Sequence, residues 1–140
     1  MKFNYKIAEE VAINEVKEFV EFFKGVEQQE DEIKNDFPYT IRALRLGLLK
    51  FGENLTPTLT LEDSIKSASG DIEVSEITFK TRLTTAAYRQ ITNGLHGKKN
   101  DVGTFLRTRA YLIGQPVAML DKFGRFDDKT IVEISALFLA

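Results

Sequence analysis

The chain contains no cysteine, which removes disulfides, thiolate zinc sites and cysteine nucleophiles at once and fits a reducing compartment. It has no tryptophan and a single histidine, His96, so imidazole chemistry would have to rest on one ring. No apolar run approaches the roughly 18 residues that a membrane span needs. The N-terminus places Lys2 and Lys6 before Glu9 and Glu10 without the apolar stretch of a secretory signal, so a cytoplasmic protein is expected. The Asn54-Leu55-Thr56 sequon is accordingly read as coincidental.

What is present is an ordinary globular composition, 43% hydrophobic and 29% charged, with eleven Phe to build a core among Leu, Ile and Val. A length of 140 residues, without repeats, low-complexity tracts or a long linker, predicts one domain over residues 1–140. The net charge of −2 is unevenly spread: residues 1–70 carry nine Lys/Arg against thirteen Asp/Glu, residues 71–140 ten against eight. Between Ile77 and Tyr111 seven cations, Lys80, Arg82, Arg89, Lys98, Lys99, Arg107 and Arg109, face one acid, Asp101. This band is the compositional pointer to an anionic partner.

Periodicity predicts a mainly helical α+β fold of about five helices with a small β element, formed by an N-terminal strand and residues 71–83. Phe3, Tyr5 and Ile7 alternate with polar residues and predict the strand. Ile13, Val16, Phe19, Val20, Phe23 and Val26 recur at helical spacing and predict a long helix with an acidic continuation, Glu27 to Asp36. Pro38 opens a second helix whose stripe, Ile41, Leu44, Leu48 and Phe51, runs to Gly52. Thr60 followed by Asp63 reads as the cap of a short helix ending near Gly70. The β-branched segment from Asp71 reads as a strand pair or a bulged strand, because the alternation slips between Ile72/Val74 and Ile77/Phe79. A brief helix over Thr85 to Asn93, a polar loop from Leu95 to Asn100 and a helix from Asp101 to Gly114 follow. After a Gln115-Pro116 turn and a short apolar segment, Asp127 or Asp128 caps a last helix with Ile131, Ile134, Leu137 and Phe138 inward.

No motif supports catalysis. Gly94-Leu-His-Gly-Lys-Lys99 lacks the spacing and the hydroxyl of a phosphate-binding P-loop, and reads as a solvated loop. Ser64, Ser67, Ser69, Ser75 and Ser135 stand in no nucleophile elbow. The carboxylates of Glu30-Asp31-Glu32 and Asp127-Asp128 follow no EF-hand pattern and read as a solvated helix face and a helix cap, so no metal and no cofactor is predicted. Tyr88, Phe105 and Tyr111 interleave the basic band as stacking rings would, which keeps a small nucleic-acid-binding regulator open as an alternative. The chain stops on Leu139-Ala140 without a polar tail, so Leu137, Phe138 and Leu139 are the predicted partner-binding residues, or the chain continues.

The segment 105–139, FLRTRAYLIGQPVAMLDKFGRFDDKTIVEISALFL, resembles the tail assembly chaperones of long-tailed bacteriophages. A helix ends in the Gly114-Gln115-Pro116 turn, a short Leu-containing helix follows over Val117 to Leu120, and an acidic residue opens a final apolar helix from Asp127 to Leu139. Glu76-Ile-Thr-Phe-Lys80 looks like the β segment that precedes the helical part in some members. The likeness covers at most residues 71–140 and leaves the acidic N-terminal helix unexplained. It implies a non-catalytic factor of the bacterial host cytoplasm that binds the tape measure protein and recruits tail-tube subunits, with no catalytic residues to transfer and a longer frameshifted product. A structural virion subunit that self-associates into rings or tubes is the third reading.

Overall fold

A computed structural model describes residues 3–94 and 101–139. The fold is α+β and mainly helical, with six α-helices and one three-stranded antiparallel sheet among the described residues.

Helix α1 spans Glu9–Lys24 and buries Ala12 together with Ile13, Val16, Phe19 and Val20 of the expected stripe, while Phe23 is half-buried and Val26, beyond the helix end, is exposed. It stops because Gly25 takes the left-handed conformation, φ 73°, and returns its N–H to the Glu21 carbonyl. The acidic continuation is a separate helix, α2 (Glu30–Asp36), which buries only Ile33 and sets three acids against its positive N-terminal end. Phe37 then serves as the hinge into α3 (Pro38–Arg45), with Pro38 in the first turn where no N–H is required.

The second predicted helix ends seven residues early, before Gly52. Gly47, at φ 77°, donates to Leu44, and Leu48 donates to Ala43, which together close the helix as a Schellman motif. Leu48 and Phe51 fit a helical stripe, but the chain beyond Gly47 is extended and forms strand β1 (Leu49–Phe51). The short helix predicted from Thr60 is also corrected: this stretch lies in strand β2 (Pro57–Lys66). There the buried Leu59, Leu61 and Ile65 outweigh the local cap signature, since burying three branched side chains stabilises more than one cap. Strand β3 (Ile72–Thr78) completes the order β1-β2-β3, with Leu59 opposite Ile77 and Ile65 opposite Val74. The slip in alternation corresponds to register shifts between Thr60 and Ile65, a bulged pairing.

The predicted N-terminal strand does not form. Residues 3–7 run along α3, tied by the Lys6 N–H to the Arg45 carbonyl and by Arg45 Nε to the Ile7 carbonyl. Their alternation reflects Ile7 turned toward the core with Phe3 and Tyr5 outside.

Helix α4 (Thr85–Thr92) is capped by Thr84 Oγ1, which accepts from the Ala87 N–H at 3.1 Å. Helix α5 (Asp101–Ile113) buries Ala110, Leu112 and Ile113 but leaves Val102 exposed. A 3-10 segment, Val117–Lys122, inserts Leu120 into the core and leads to α6 (Arg125–Leu139). Ile131, Ile134 and Leu137 of α6 meet α1, α3 and the sheet in a core where Phe19 stacks on Phe51 at 4.6 Å between ring centroids. Among the described residues no helix is long and apolar enough to cross a membrane. The predicted polar loop from Leu95 to Asn100 lies outside the described residues.

Candidate interaction surface

Among the described residues of the predicted basic band, Lys80, Arg107 and Arg109 are tied into the fold, while Arg82 and Arg89 are exposed. Lys80 donates through Nζ to the Tyr111 carbonyl at 2.8 Å and lies 4.8 Å from the Tyr111 ring centre. Arg107 donates to the carbonyls of Ile91 and Asn93 at 3.1 and 2.9 Å, where the C-terminal dipole of α4 favours a cation. Arg109 is only 8% exposed, its guanidinium 3.6 Å from Asp128 and 5.3 Å from the Phe105 ring centre. All three act as struts between β3, α4, α5 and α6. Arg82 and Arg89 are exposed, and Lys98 and Lys99 lie outside the described residues.

The predicted partner-binding terminus is corrected in the same way. Leu137 is buried, and Phe138 packs half-buried against Phe19 and Phe23 at ring distances of 6.3 and 5.2 Å, so these side chains serve the core. Leu137 also forms part of the wall of a cleft of about 410 Å³ that Lys24, Phe37, Val132 and Glu133 share. The Leu139 side chain lies outside what is described.

A different surface gathers rings and cations that the sequence scatters. Arg42 of α3 places its guanidinium 4.3 Å from the Phe126 ring centre and 5.5 Å from that of Phe3. Arg45, one turn on, lies 3.7 Å over Tyr5. Tyr39 stacks with Phe126 at 6.1 Å and carries Lys129 over its ring at 4.7 Å, while Arg125 lies 5.7 Å from Phe126. Four rings and four cations thus alternate across the N-terminal segment, α3 and α6. Two cations are partly neutralised: Arg42 pairs with Glu62 at 2.9 Å and Arg45 with Glu9 at 3.7 Å. A cleft of about 300 Å³ between Tyr5, Glu9, Ile41, Arg42 and Arg45 opens beside them. The sequence signal for this surface is the three-residue spacing of Tyr39, Arg42 and Arg45 on the polar side of α3, which the reading of the apolar stripe passes over.

Two carboxylates, the half-buried Glu133 and the buried Asp127, hold the elements that carry this surface. Glu133 of α6 accepts from the N–H groups of Tyr39 and Thr40, at 3.0 and 2.8 Å, and from Thr40 Oγ1 at 2.8 Å, capping α3 from another helix. Asp127 accepts from the N–H groups of Glu62 and Asp63 at 3.0 and 3.1 Å, pinning α6 to the β2 bulge; it is therefore a tertiary tie and not the cap of its own helix. Burial raises the pKa of both, and the hydrogen bonds oppose that rise without cancelling it. Their lone pairs are committed to backbone donors, which suits them to support and not to proton transfer. Among the described residues no group of three or more His, Asp or Glu side chains is placed to hold a metal ion.

Comparison with protein families, with curated proteins and with solved structures finds no match for this chain.

Proposed function

We propose that this chain is a non-catalytic protein-binding factor of the cytoplasm that captures a partner polypeptide on the ring–cation surface of α3 and α6. The observation that carries the reading is the alternation of Phe3, Tyr5, Tyr39 and Phe126 with Arg42, Arg45, Arg125 and Lys129. Rings and arginines are the side chains most enriched at the centres of protein interfaces, because they present large amphipathic area at little entropic cost. A nucleic-acid backbone is the poorer occupant: Glu62 and Glu9 already neutralise part of the Arg42 and Arg45 charge, and phosphate binding depends on uncompensated cations.

Within that class, the resemblance of residues 105–139 supports a tail assembly chaperone, with a tape measure polypeptide as the captured partner. The test is co-expression with phage tape measure segments, comparing wild type with Phe126→Ser and Arg42→Ala. The reading expects each substitution to weaken capture at least tenfold, about 1.4 kcal/mol, while the helical circular dichroism is unchanged. Undiminished capture by both variants would falsify the surface assignment. Steeply salt-dependent binding of oligonucleotides without capture of any polypeptide would put the regulator in its place.

A further inference from the structure

The charge of this chain is arranged as two poles. Residues 9–36, the α1–α2 hairpin, carry ten acids and three bases, whereas residues 79–125 carry nine bases and two acids. Within the fold α2 packs on α1 and α3, while α4 packs on α5 and α5 on α6. Arg109 is paired with Asp128, but the hydrogen bonds of Lys80 and Arg107 go to carbonyls and do not cancel their charge, so the second pole remains positive.

Each pole also exposes apolar side chains. On α1, Val11, Glu15, Glu18 and Phe22 share one outward stripe at helical spacing, with Phe22 60% exposed, and Val26 follows beyond the helix at 58%. At the basic pole Tyr88 lies beside Arg89 on α4, Arg82 precedes the helix, and Val102 of α5 is 71% exposed. On α1 the exposed Val11 and Phe22 flank two acids, and on α4 the exposed Tyr88 adjoins Arg89, so the two patches combine apolar area with charge of opposite sign, as complementary interfaces do.

We propose that the acidic stripe of α1 docks on the basic α4 face of a second copy of this chain. The two faces are different patches, so the contact is heterologous: it has no twofold closure and repeats from copy to copy, giving rings or open chains. This contact is distinct from the ring–cation surface and stands or falls separately from it.

The experiment is light scattering with size-exclusion chromatography on nuclease-treated protein across a concentration series, at roughly 50 mM and roughly 500 mM salt, which spans Debye lengths from about 14 to about 4 Å. The expected result is a mass that grows with concentration at low salt and an association constant at least tenfold weaker at high salt. Glu15→Lys with Glu18→Lys reverses the charge of the α1 stripe itself, and Arg82→Glu with Arg89→Glu reverses that of the α4 face. Each double variant should stay monomeric alone, and an equimolar mixture should recover association. A wild-type monomer under every condition overturns the proposal, and so does association that both variants retain. Association that disappears when bound nucleic acid is digested also overturns it, because the nucleic acid is then the bridge. The salt series on wild type decides the matter even where a variant fails to fold.

Discussion

Replacing Glu133 by Ala tests the claim that a carboxylate on α6 caps α3. The substitution strands the N–H groups of Tyr39 and Thr40, which the carboxylate accepts at 3.0 and 2.8 Å, in a partly buried setting. A hydrogen bond to a charged acceptor contributes about 1.5–3 kcal/mol, and an orphaned donor costs about 1–3. Relief of the buried carboxylate's own desolvation offsets part of that loss, since burial is the dominant influence on its pKa. The net expectation is a loss of about 2–4 kcal/mol, which for a domain of this length lowers Tm by about 7–14 °C. Gln keeps one acceptor oxygen but turns an amide donor toward the second N–H, so Glu133→Gln should lose about 1–2 kcal/mol, less than Ala. Urea unfolding followed by circular dichroism measures both. An Ala variant within about 0.5 kcal/mol of wild type, or a Gln variant less stable than Ala, refutes the capping argument.

The same residue makes a pH prediction. Its folded pKa lies above the ordinary 4.5, so the native state holds the proton more tightly than the unfolded chain. The contribution of this group is complete below pH 4.5 and is lost as pH rises through the folded value. The stability gap between wild type and Glu133→Gln should therefore be widest in acid and narrow toward neutrality, and a gap that widens as pH rises contradicts the assigned direction.

Gly47→Ala forces a side chain into φ 77° and brings its Cβ to 2.9 Å from Lys6 Cδ, so a loss of about 1–2 kcal/mol is expected by denaturant midpoint. Gly25→Ala has the same positive φ but nothing within 4 Å, and should cost less than Gly47→Ala. Arg109 is buried and braces α5 on α6 through Asp128, so Arg109→Met, which leaves that carboxylate unpaired, should cost up to about 3 kcal/mol. An unchanged thermal melting point would refute that brace.

Much of the helical skeleton is legible in the sequence because its causes are local. Residues three and four apart share a helix face whatever lies around them, so the α1 stripe and the inward Ile131, Ile134 and Leu137 follow from spacing alone. Pro38, Gly25 and Gly114 punctuate helices through their own backbone geometry. Even the bulge between β2 and β3 leaves a trace, as a slip in alternation.

What escaped the sequence is what two distant segments decide together. Leu48 and Phe51 satisfy both periods, and only the left-handed Gly47 and the pairing of Leu49 with Leu59 select the strand. Thr60 and Asp63 resemble a helix cap until β3 supplies a partner ladder. Asp127 reads as the cap of its own helix and Glu133 carries no signal in the sequence, yet the backbone donors they meet belong to β2 and α3. Lys80, Arg107 and Arg109 belong to one basic band along the chain and act as struts in space, while Phe3, Arg42 and Phe126 are unrelated in sequence and in contact when folded. Local spacing determines which helices form and which faces they bury. The candidate surface exists only after packing, because a ring and a cation attract within a few ångströms and the chain order says nothing about that distance.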